Sequence, residues 1–238
     1  MSAHLARRRA LRALARRLEL PLEFGASEEL AQALTHDSYA AERARDRVVS
    51  NERLEFLGDA VLGVIVARAL FARHPDVPEG ALSRMRAALV GRTALARTAQ
   101  RLELGPLVLL GRGERATGGA QRPSILASAL EALVAAVFLC EGYEAASRFV
   151  ERHHLAHEQA VAALDPKTEL QEYVQAKYKK APHYAMTAQR GPAHARVFSA
   201  TVTVAGVAAG SGEGPSLKLA QTAAARQALA NLRRADRT

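Results

Sequence analysis

The segment Asn51-Glu52-Arg53-Leu54-Glu55-Phe56-Leu57-Gly58-Asp59 runs without a break into the apolar stretch Ala60-Val61-Leu62-Gly63-Val64-Ile65-Val66-Ala67. A run of that kind has to be buried, so the charges that border it are carried to the edge of a core. Read as a helix, the segment places Glu52, Glu55 and Asp59 at i, i+3 and i+7, and three carboxylates share one face. Glu55 and Asp59, a like-charged i, i+4 pair, cost an isolated helix about 0.2–0.5 kcal/mol. No Lys or Arg three or four residues beyond Asp59 relieves that repulsion, because Leu62 and Gly63 stand there. Carboxylates crowded at the border of a core require a cation among them, and an all-oxygen set favours a hard divalent ion.

Residues 123–140, PSILASALEALVAAVFLC, read as a second core helix in which Glu131 is the sole charged residue. Two readings of Glu131 are open. It lies on a narrow solvent-facing stripe, or it reaches across to Glu55 and Asp59 as a metal ligand. The stripe around it holds Ser124, Ala127, Ser128, Val134 and Ala135 instead of other charges, which favours the second reading. Glu pairs on facing helices are a recurrent way of building carboxylate metal sites in helical cores.

With these residues in view, the chain resembles the ribonuclease III family of double-stranded-RNA endonucleases. The run ERLEFLGDAVL at 52–62 is similar to the family signature, and Leu34-Thr35-His36-Asp37-Ser38-Tyr39 to its LTHxSY element. Glu79-Gly80 with Ser83-Arg84-Met85-Arg86, and Ile125-Leu126-Ala127 leading to Glu131, match in order and spacing. The resemblance spans nearly the whole chain. It implies metal ligands at Glu55, Asp59, Ser128 and Glu131, with Asp59 and Glu131 the catalytic pair. The family has an aspartate where this chain has Ser128, so one negative charge is absent from the implied site. Glu52 and Glu79 match further family acids, implied to support the ligands or to orient RNA. The implied cofactor is Mg²⁺, two ions per active site, with Mn²⁺ able to substitute. The implied products carry 5′-phosphate and 3′-hydroxyl ends, and the implied assembly is a homodimer in which each of two sites cuts one strand. Phe56, pointing off the carboxylate helix, is either a contact in that dimer or an ordinary core aromatic.

Composition excludes several other classes. At 238 residues the chain has room for one or two domains with a sizeable core. Its 49% hydrophobic content argues against disorder. No run is apolar enough to read as a membrane span, and residues 123–140 carry Ser124, Ser128 and Glu131 within a buried helix. The single cysteine, Cys140, rules out an intramolecular disulfide and a multi-cysteine zinc site, and reads as a small buried hydrophobe. None of the eight histidines has HExxH or comparable spacing, and His153, His154 and His157 read as a polar helix face.

Charge is unevenly placed. Residues 166–238 hold all five lysines and six arginines against four acids, a net +7, whereas residues 18–165 hold 16 arginines against 20 acids, a net −4. A mildly acidic body is therefore followed by a basic C-terminal unit, with Leu164-Asp165-Pro166 as the hinge. Such a unit expects a polyanionic, salt-dependent partner. The N-terminal stretch ARRRALRALARRLEL places six arginines within the first 17 residues and Leu11, Leu14 and Leu18 on one side of an amphipathic helix. It lacks the continuous apolar core of a secretory signal. An organelle transit peptide has a similar composition, but an ordinary first helix fits better, because the family resemblance begins between Leu20 and Leu34.

The body is predicted to be almost wholly helical, with helices over about 5–19, 27–36, 51–73, 79–101, 123–139 and 143–163. Leu107-Val108-Leu109-Leu110 has no obvious partner strand and is read as loop or short helix. The C-terminal unit changes period. Thr168–Tyr178 is helix-like. Phe198, Ala200, Val202 and Val204 then alternate with Val197, Ser199, Thr201 and Thr203 as in a half-buried strand, and Ser216–Leu232 returns to helix. This order resembles the double-stranded-RNA-binding domain. The fold class expected is thus mainly α: an all-helical endonuclease domain (1–163), a linker (164–166) and a small α-β-β-β-α double-stranded-RNA-binding domain (167–238).

The resemblance places RNA contacts at Thr168, Gln171, Glu172 and Gln175 on the first helix. It adds His194 in the loop Gly191-Pro192-Ala193-His194, and Ser216 and Lys218 at the opening of the last helix. Leu217 stands where the family favours a second basic residue, so one phosphate contact is expected to be missing. Domains of this kind read A-form shape over roughly 16 bp, largely without regard to sequence. Three functional classes follow. The first is a cytoplasmic, metal-dependent endoribonuclease processing rRNA and mRNA precursors. The second is a double-stranded-RNA-binding protein whose cleavage is weakened or lost through Ser128, and the third is a structural ribonucleoprotein component. The presence of Glu52, Glu55, Asp59, Glu79 and Glu131 favours the enzyme.

Overall fold

Two apolar helices organise the first of two units, and their burial follows the sequence pattern. Helix α4 (Glu52–Arg73) buries Leu54, Gly58, Val61, Leu62, Ile65, Val66, Ala69 and Leu70. Helix α8 (Pro123–Val150), opened by a proline whose fixed φ suits a first helical position, is buried along most of its apolar length. The structure is a computed structural model that describes residues 3–157, 166–192 and 196–236. It divides into units Met1–Val161 and Ala162–Thr238. Around α4 and α8 the first unit arranges α1 (Ala3–Arg17), α2 (Glu28–Ala33), α3 (Asp37–Glu42), α5 (Glu79–Leu89), α6 (Arg92–Arg101) and α7 (Arg112–Ala116). The helical stretch Pro123–Leu155 is long and apolar enough to cross a membrane, yet 61% of its apolar 18-residue window is buried inside the protein, as in a core helix.

Several boundaries differ from the sequence expectation, each for a local reason. The helix expected over 27–36 ends at Ala33, because Leu34–His36 leaves the helical path to pair with Leu109. Leu109 N–H donates to the Leu34 carbonyl at 2.8 Å, and His36 N–H to the Leu109 carbonyl at 3.0 Å. The stretch 107–110, expected to lack a partner, thus finds a one-residue parallel bridge between Thr35 and Leu109. The helix expected over 79–101 breaks at Gly91, whose extended backbone (φ −69, ψ 145) precedes α6. The expected break near 140 is present as a kink: Gly142, at φ 80 and ψ 178, a conformation open to glycine, divides α8 into two helical segments. A π-helical turn, Glu151–Leu155, follows it. The C-terminal end of the helix expected over 143–163 lies outside the described residues, as do Leu164 and Asp165 of the expected hinge.

Two side-chain expectations are corrected. Cys140 is exposed, its thiol 3.5 Å from a Glu29 carboxylate oxygen, and not a buried hydrophobe. His154 is not part of a polar surface: it is 2% exposed. Its Nε2 lies 2.9 Å from the Leu89 carbonyl and its Nδ1 2.8 Å from the Thr98 hydroxyl, ties that satisfy a buried ring which would otherwise be costly.

In the second unit, α9 (Pro166–Tyr178) and α10 (Leu217–Ala235) accompany an antiparallel sheet of order β1-β2-β3: His183–Arg190, Val197–Val204 and Val207–Gly214. Ala205 (φ 52) and Gly206 (φ 87) form the two-residue turn joining β2 to β3, as right-handed strand twist prefers. Leu170, Val174, Val202, Val204, Ala224, Ala225, Ala228 and Leu229 make its core. Gly210, Gly212 and Gly214, alternate residues of β3, face α10 so closely that a Cβ on Gly212 would lie 2.3 Å from the Ala224 nitrogen. Glycine on the strand and alanine on the helix let the two backbones pack directly.

Candidate active site and RNA interface

The start of α4 is held in place by the segment that precedes α3. Asn51 is 2% exposed; its side-chain amide donates to the Ala33 carbonyl at 3.2 Å and its N–H to the Thr35 carbonyl at 2.8 Å. The Asn51 carbonyl in turn accepts from the Glu55 N–H at 2.8 Å, opening the helix. Thr35 anchors its own turn through the Ala31 carbonyl, and Ser38 binds both the His36 ring and the Gly111 N–H. The Leu34–Tyr39 element is therefore a brace that fixes the first turn of α4, where the carboxylates sit.

Gly58 then decides how near α8 comes. A Cβ there would lie 1.8 Å from the Glu131 carbonyl oxygen, so the two helices touch backbone to backbone at this one residue. Glu55 precedes Gly58 by three residues and Asp59 follows it, which brings both beside Glu131. The consequence is electrostatic. Partial burial, together with the charges of Glu55 and Asp59, pushes the Glu131 carboxyl up to about 7, and the Arg92 guanidinium pulls it only part of the way back. A carboxyl held protonated near neutrality, first by desolvation and then by two neighbouring acids, is a candidate for a functional site.

Glu131 is half-buried, and so is Ser128 one turn before it. Glu55 is half-buried and Asp59 exposed. Asp59 also lines a cleft of about 800 Å³ between α4 and α5, together with Val64, Phe71, Glu79 and Arg86. Glu79, its carboxylate accepting from the Ser83 hydroxyl at 2.7 Å, therefore faces the same space as Asp59. Glu52 is exposed and accepts from Ser50 at 2.9 Å. The acids converge without forming a closed cage: among the described residues, no three His, Cys, Asp or Glu side chains stand close enough to grip a metal ion as placed. The donor set nevertheless suits one. Its oxygens are hard, and its excess negative charge is relieved by a divalent cation. Phe56 is 82% exposed, so it is not a core aromatic.

Sequence reasoning left Asn51, Gly58 and Arg92 without roles. Gly58 was legible in principle, as a glycine inside an otherwise strong helix former. Arg92 had no local signal, because only the tertiary fold brings it near Glu131.

On the second unit, Gln171, Glu172 and Gln175 are exposed and Thr168 half-buried, while Leu170 and Val174 of the same helix point into the core. Ser216 caps α10, its hydroxyl oxygen accepting from the Leu219 N–H at 3.3 Å, and Lys218 is exposed in the helix's first turn. His194 lies outside the described residues.

Residues 27–158 match the family model for ribonuclease-III-like domains, and residues 166–232 match that for the double-stranded RNA binding motif. The chain is 48% identical over 206 residues to the ribonuclease 3 of Geobacter metallireducens, covering 84% of each chain. To the ribonuclease 3 of Streptomyces coelicolor it is 46% identical over 210 residues, covering 87% of this chain and 75% of that one. Among solved structures, it is similar to the ribonuclease III nuclease domain of Campylobacter jejuni, described as flexible in a region involved in dimer formation. That likeness has a TM-score of 0.54 and 38% identity, and covers 60% of this chain and 94% of the other.

Proposed function

The chain belongs to the ribonuclease III family, and from that premise we propose that it hydrolyses duplex RNA at the carboxylate cluster of α4 and α8. The observation that carries this reading is Glu131, pushed up to about 7 by burial and by Glu55 and Asp59. A structural acid would be relieved of such crowding by a salt bridge, whereas a site kept for divalent ions stays crowded until they arrive. Glu55, Asp59 and Glu131 would hold Mg²⁺, with Mn²⁺ an acceptable substitute, and Ser128 would offer a neutral oxygen. Bound there, the divalent ions supply Lewis acidity that makes water nucleophilic near neutral pH and stabilises charge on the leaving oxygen.

The protein's own residues do the rest. Glu131 gives up its proton as the site loads, and Glu55 and Asp59 keep the site anionic enough to retain its charge. Glu79, on the α5 wall of the cleft that Asp59 also lines, orients the approaching backbone. Water oxygen bonds to phosphorus, the bond from phosphorus to the 3′-oxygen breaks, and the leaving oxygen takes up a proton. The products carry 5′-phosphate and 3′-hydroxyl ends. In the second unit, Thr168, Gln171, Glu172 and Gln175 on α9 and Ser216 and Lys218 at α10 form the duplex-reading face, with His194 a further contact.

Two copies are needed to cut two strands. Phe56 at 82% exposure, Val64 at 58% and Phe71 at 75% stand along α4, the last two lining the apolar cleft. Exposed aromatics of this size mark an interface, and a two-fold axis would make the same patch cover itself reciprocally. Processing of rRNA and mRNA precursors in the cytoplasm is the role this chemistry fits.

The test is incubation of the purified chain with long duplex RNA in Mg²⁺, in Mn²⁺ and in EDTA, with end-group analysis of the products. Divalent-dependent shortening to 5′-phosphorylated fragments is expected. Duplex binding without cleavage in either metal would overturn the enzyme reading and leave an RNA-binding protein disabled at Ser128.

A further inference from the structure

The six arginines of α1 divide into two that the fold uses and four that it does not. Arg7 reaches the carbonyls of Leu107 and Leu34, and Arg17 binds the Glu103 carboxylate at 2.7 Å and the Leu102 carbonyl at 2.6 Å. Arg8, Arg9, Arg12 and Arg16 are exposed. Among the described residues, their side chains make no ion pair or hydrogen bond. Arg8, Arg12 and Arg16 succeed one another at four-residue intervals, so they form one stripe, and Arg9 lies beside it.

Stability alone does not explain this arrangement. Like charges at i, i+4 repel, and of the four only Arg16 lies in the last turn, where the helix dipole favours a cation. The helix contains no acid to offset them. Its attachment is supplied by other residues, the buried Leu11, Leu14, Ala15 and Leu18. The stripe therefore carries a local cost that packing does not require, in a body whose residues 18–165 are net acidic.

We infer that the exposed arginine stripe of α1 is a second, sequence-independent contact for the phosphate backbone of duplex RNA, distinct from the C-terminal RNA-binding unit. Charge complementarity and spacing select this occupant. The stripe repeats about every 6 Å along the helix axis, so successive guanidiniums can take separate phosphates of a backbone that bears a charge about every 1.7 Å of duplex. Guanidinium forks suit phosphate oxygens. An anionic membrane is the poorer match, because the leucines that would enter a bilayer are buried in the core and Leu5 is the lone large apolar side chain exposed on this helix. The inference rests on the reading of the chain as a duplex-RNA enzyme and adds where part of its affinity resides.

The test compares the full chain with the quadruple variant R8Q/R9Q/R12Q/R16Q and with R8K/R9K/R12K/R16K, all in EDTA so that RNA stays intact. Binding to a 30-bp duplex is followed by fluorescence anisotropy across a salt series, and folding by circular dichroism. Each lost phosphate contact lowers the log–log salt slope by about 0.9. The Gln variant is expected to show a slope smaller by about 2–4 and, at 0.15 M salt, affinity reduced about 30-fold or more. The Lys variant, which keeps the charge, should keep most of the slope. An unchanged slope in the folded Gln variant would overturn the inference. So would loss of binding to phosphatidylserine vesicles with RNA binding intact, which would assign the stripe to a membrane. If the unaltered chain fails to bind duplex at all, the functional reading itself falls.

Discussion

Replacing Glu131 with Gln separates what this carboxyl costs the fold from what it gives the site. The side chain titrates at about 7 in the folded protein, against 4.5 for an unperturbed glutamate. A folded-state value above the unfolded one means that the native state binds the proton more tightly. Stability linked to Glu131 is therefore fully present below about pH 4.5 and is lost as pH rises through about 7. At 1.36 kcal/mol per pH unit the ceiling on that loss is about 3 kcal/mol, and solvent contact at a half-buried side chain reduces it to about 1–2 kcal/mol. The substituted amide imitates the protonated acid and escapes the loss. In EDTA, E131Q is expected to melt with the parent at pH 4.5 and about 3–6 °C above it at pH 8. Adding Mg²⁺ at pH 8 should raise the parent's midpoint and leave the variant's unchanged, since a ligand that binds only the native state stabilises it. Duplex cleavage should be abolished in the variant while duplex binding persists. Coincident melting curves at pH 8 in EDTA would refute the argument that Glu55 and Asp59 crowd Glu131. Cleavage by E131Q at the parental rate would remove Glu131 from the metal site.

Four further outcomes follow from the same geometry. G58A places a methyl group against the Glu131 carbonyl, 1.8 Å from its oxygen. The helices must part, and denaturant unfolding should register a loss of about 1–3 kcal/mol together with reduced cleavage. F56A should weaken self-association by at least about 30-fold, as loss of one anchoring aromatic does, read by sedimentation equilibrium; an unchanged constant would show that Phe56 faces solvent in the assembly. A fragment ending near Ala163 retains every carboxylate of the proposed metal site but not the +7 segment, and should cleave duplex RNA at low salt and not at physiological salt. S128D restores a fourth acid one turn from Glu131 and should lower the Mg²⁺ concentration for half-maximal cleavage, at some expense in metal-free stability; equal midpoints would place residue 128 outside the metal site.

The parts of the fold that were legible in the sequence are those where one physical signal dominates. The apolar run after Asp59 could only be a buried helix, and α4 begins at Glu52, one residue after the expected start. Alternation over 197–204 gave β2, whose Ala200, Val202 and Val204 are indeed buried. β1 and β3 had no comparable signal. β3 alternates Gly210, Gly212 and Gly214 with Ser211 and Glu213, a period-two pattern of small residues that hydrophobicity does not register. Breaks at Leu34–His36 and Gly91 were invisible for a different reason. The first exists because Leu109, far along the chain, takes the backbone hydrogen bonds of that segment, and no local propensity encodes a distant partner.

The same distinction separates the two halves of the active site. Three carboxylates on one face of α4 follow from helical spacing alone. Their meeting with Glu131 depends on Gly58, because any side chain there would hold α8 away from the carboxylates of α4. The segment 51–59 thus contains two kinds of residue: acids that supply charge, and a glycine and an asparagine that supply position. Asn51 fixes the first turn of α4 through Ala33 and Thr35, and Gly58 fixes its distance from α8. Both are retained here, which keeps the electrostatic crowding on Glu131 even though Ser128 contributes no charge. A chain relieved of catalysis would gain stability by relaxing that crowding, and one substitution at Glu131 would suffice. A carboxyl raised to about 7 by its burial and by two neighbouring acids supports the reading in which Ser128 tunes the site, and S128D is the variant that tests it.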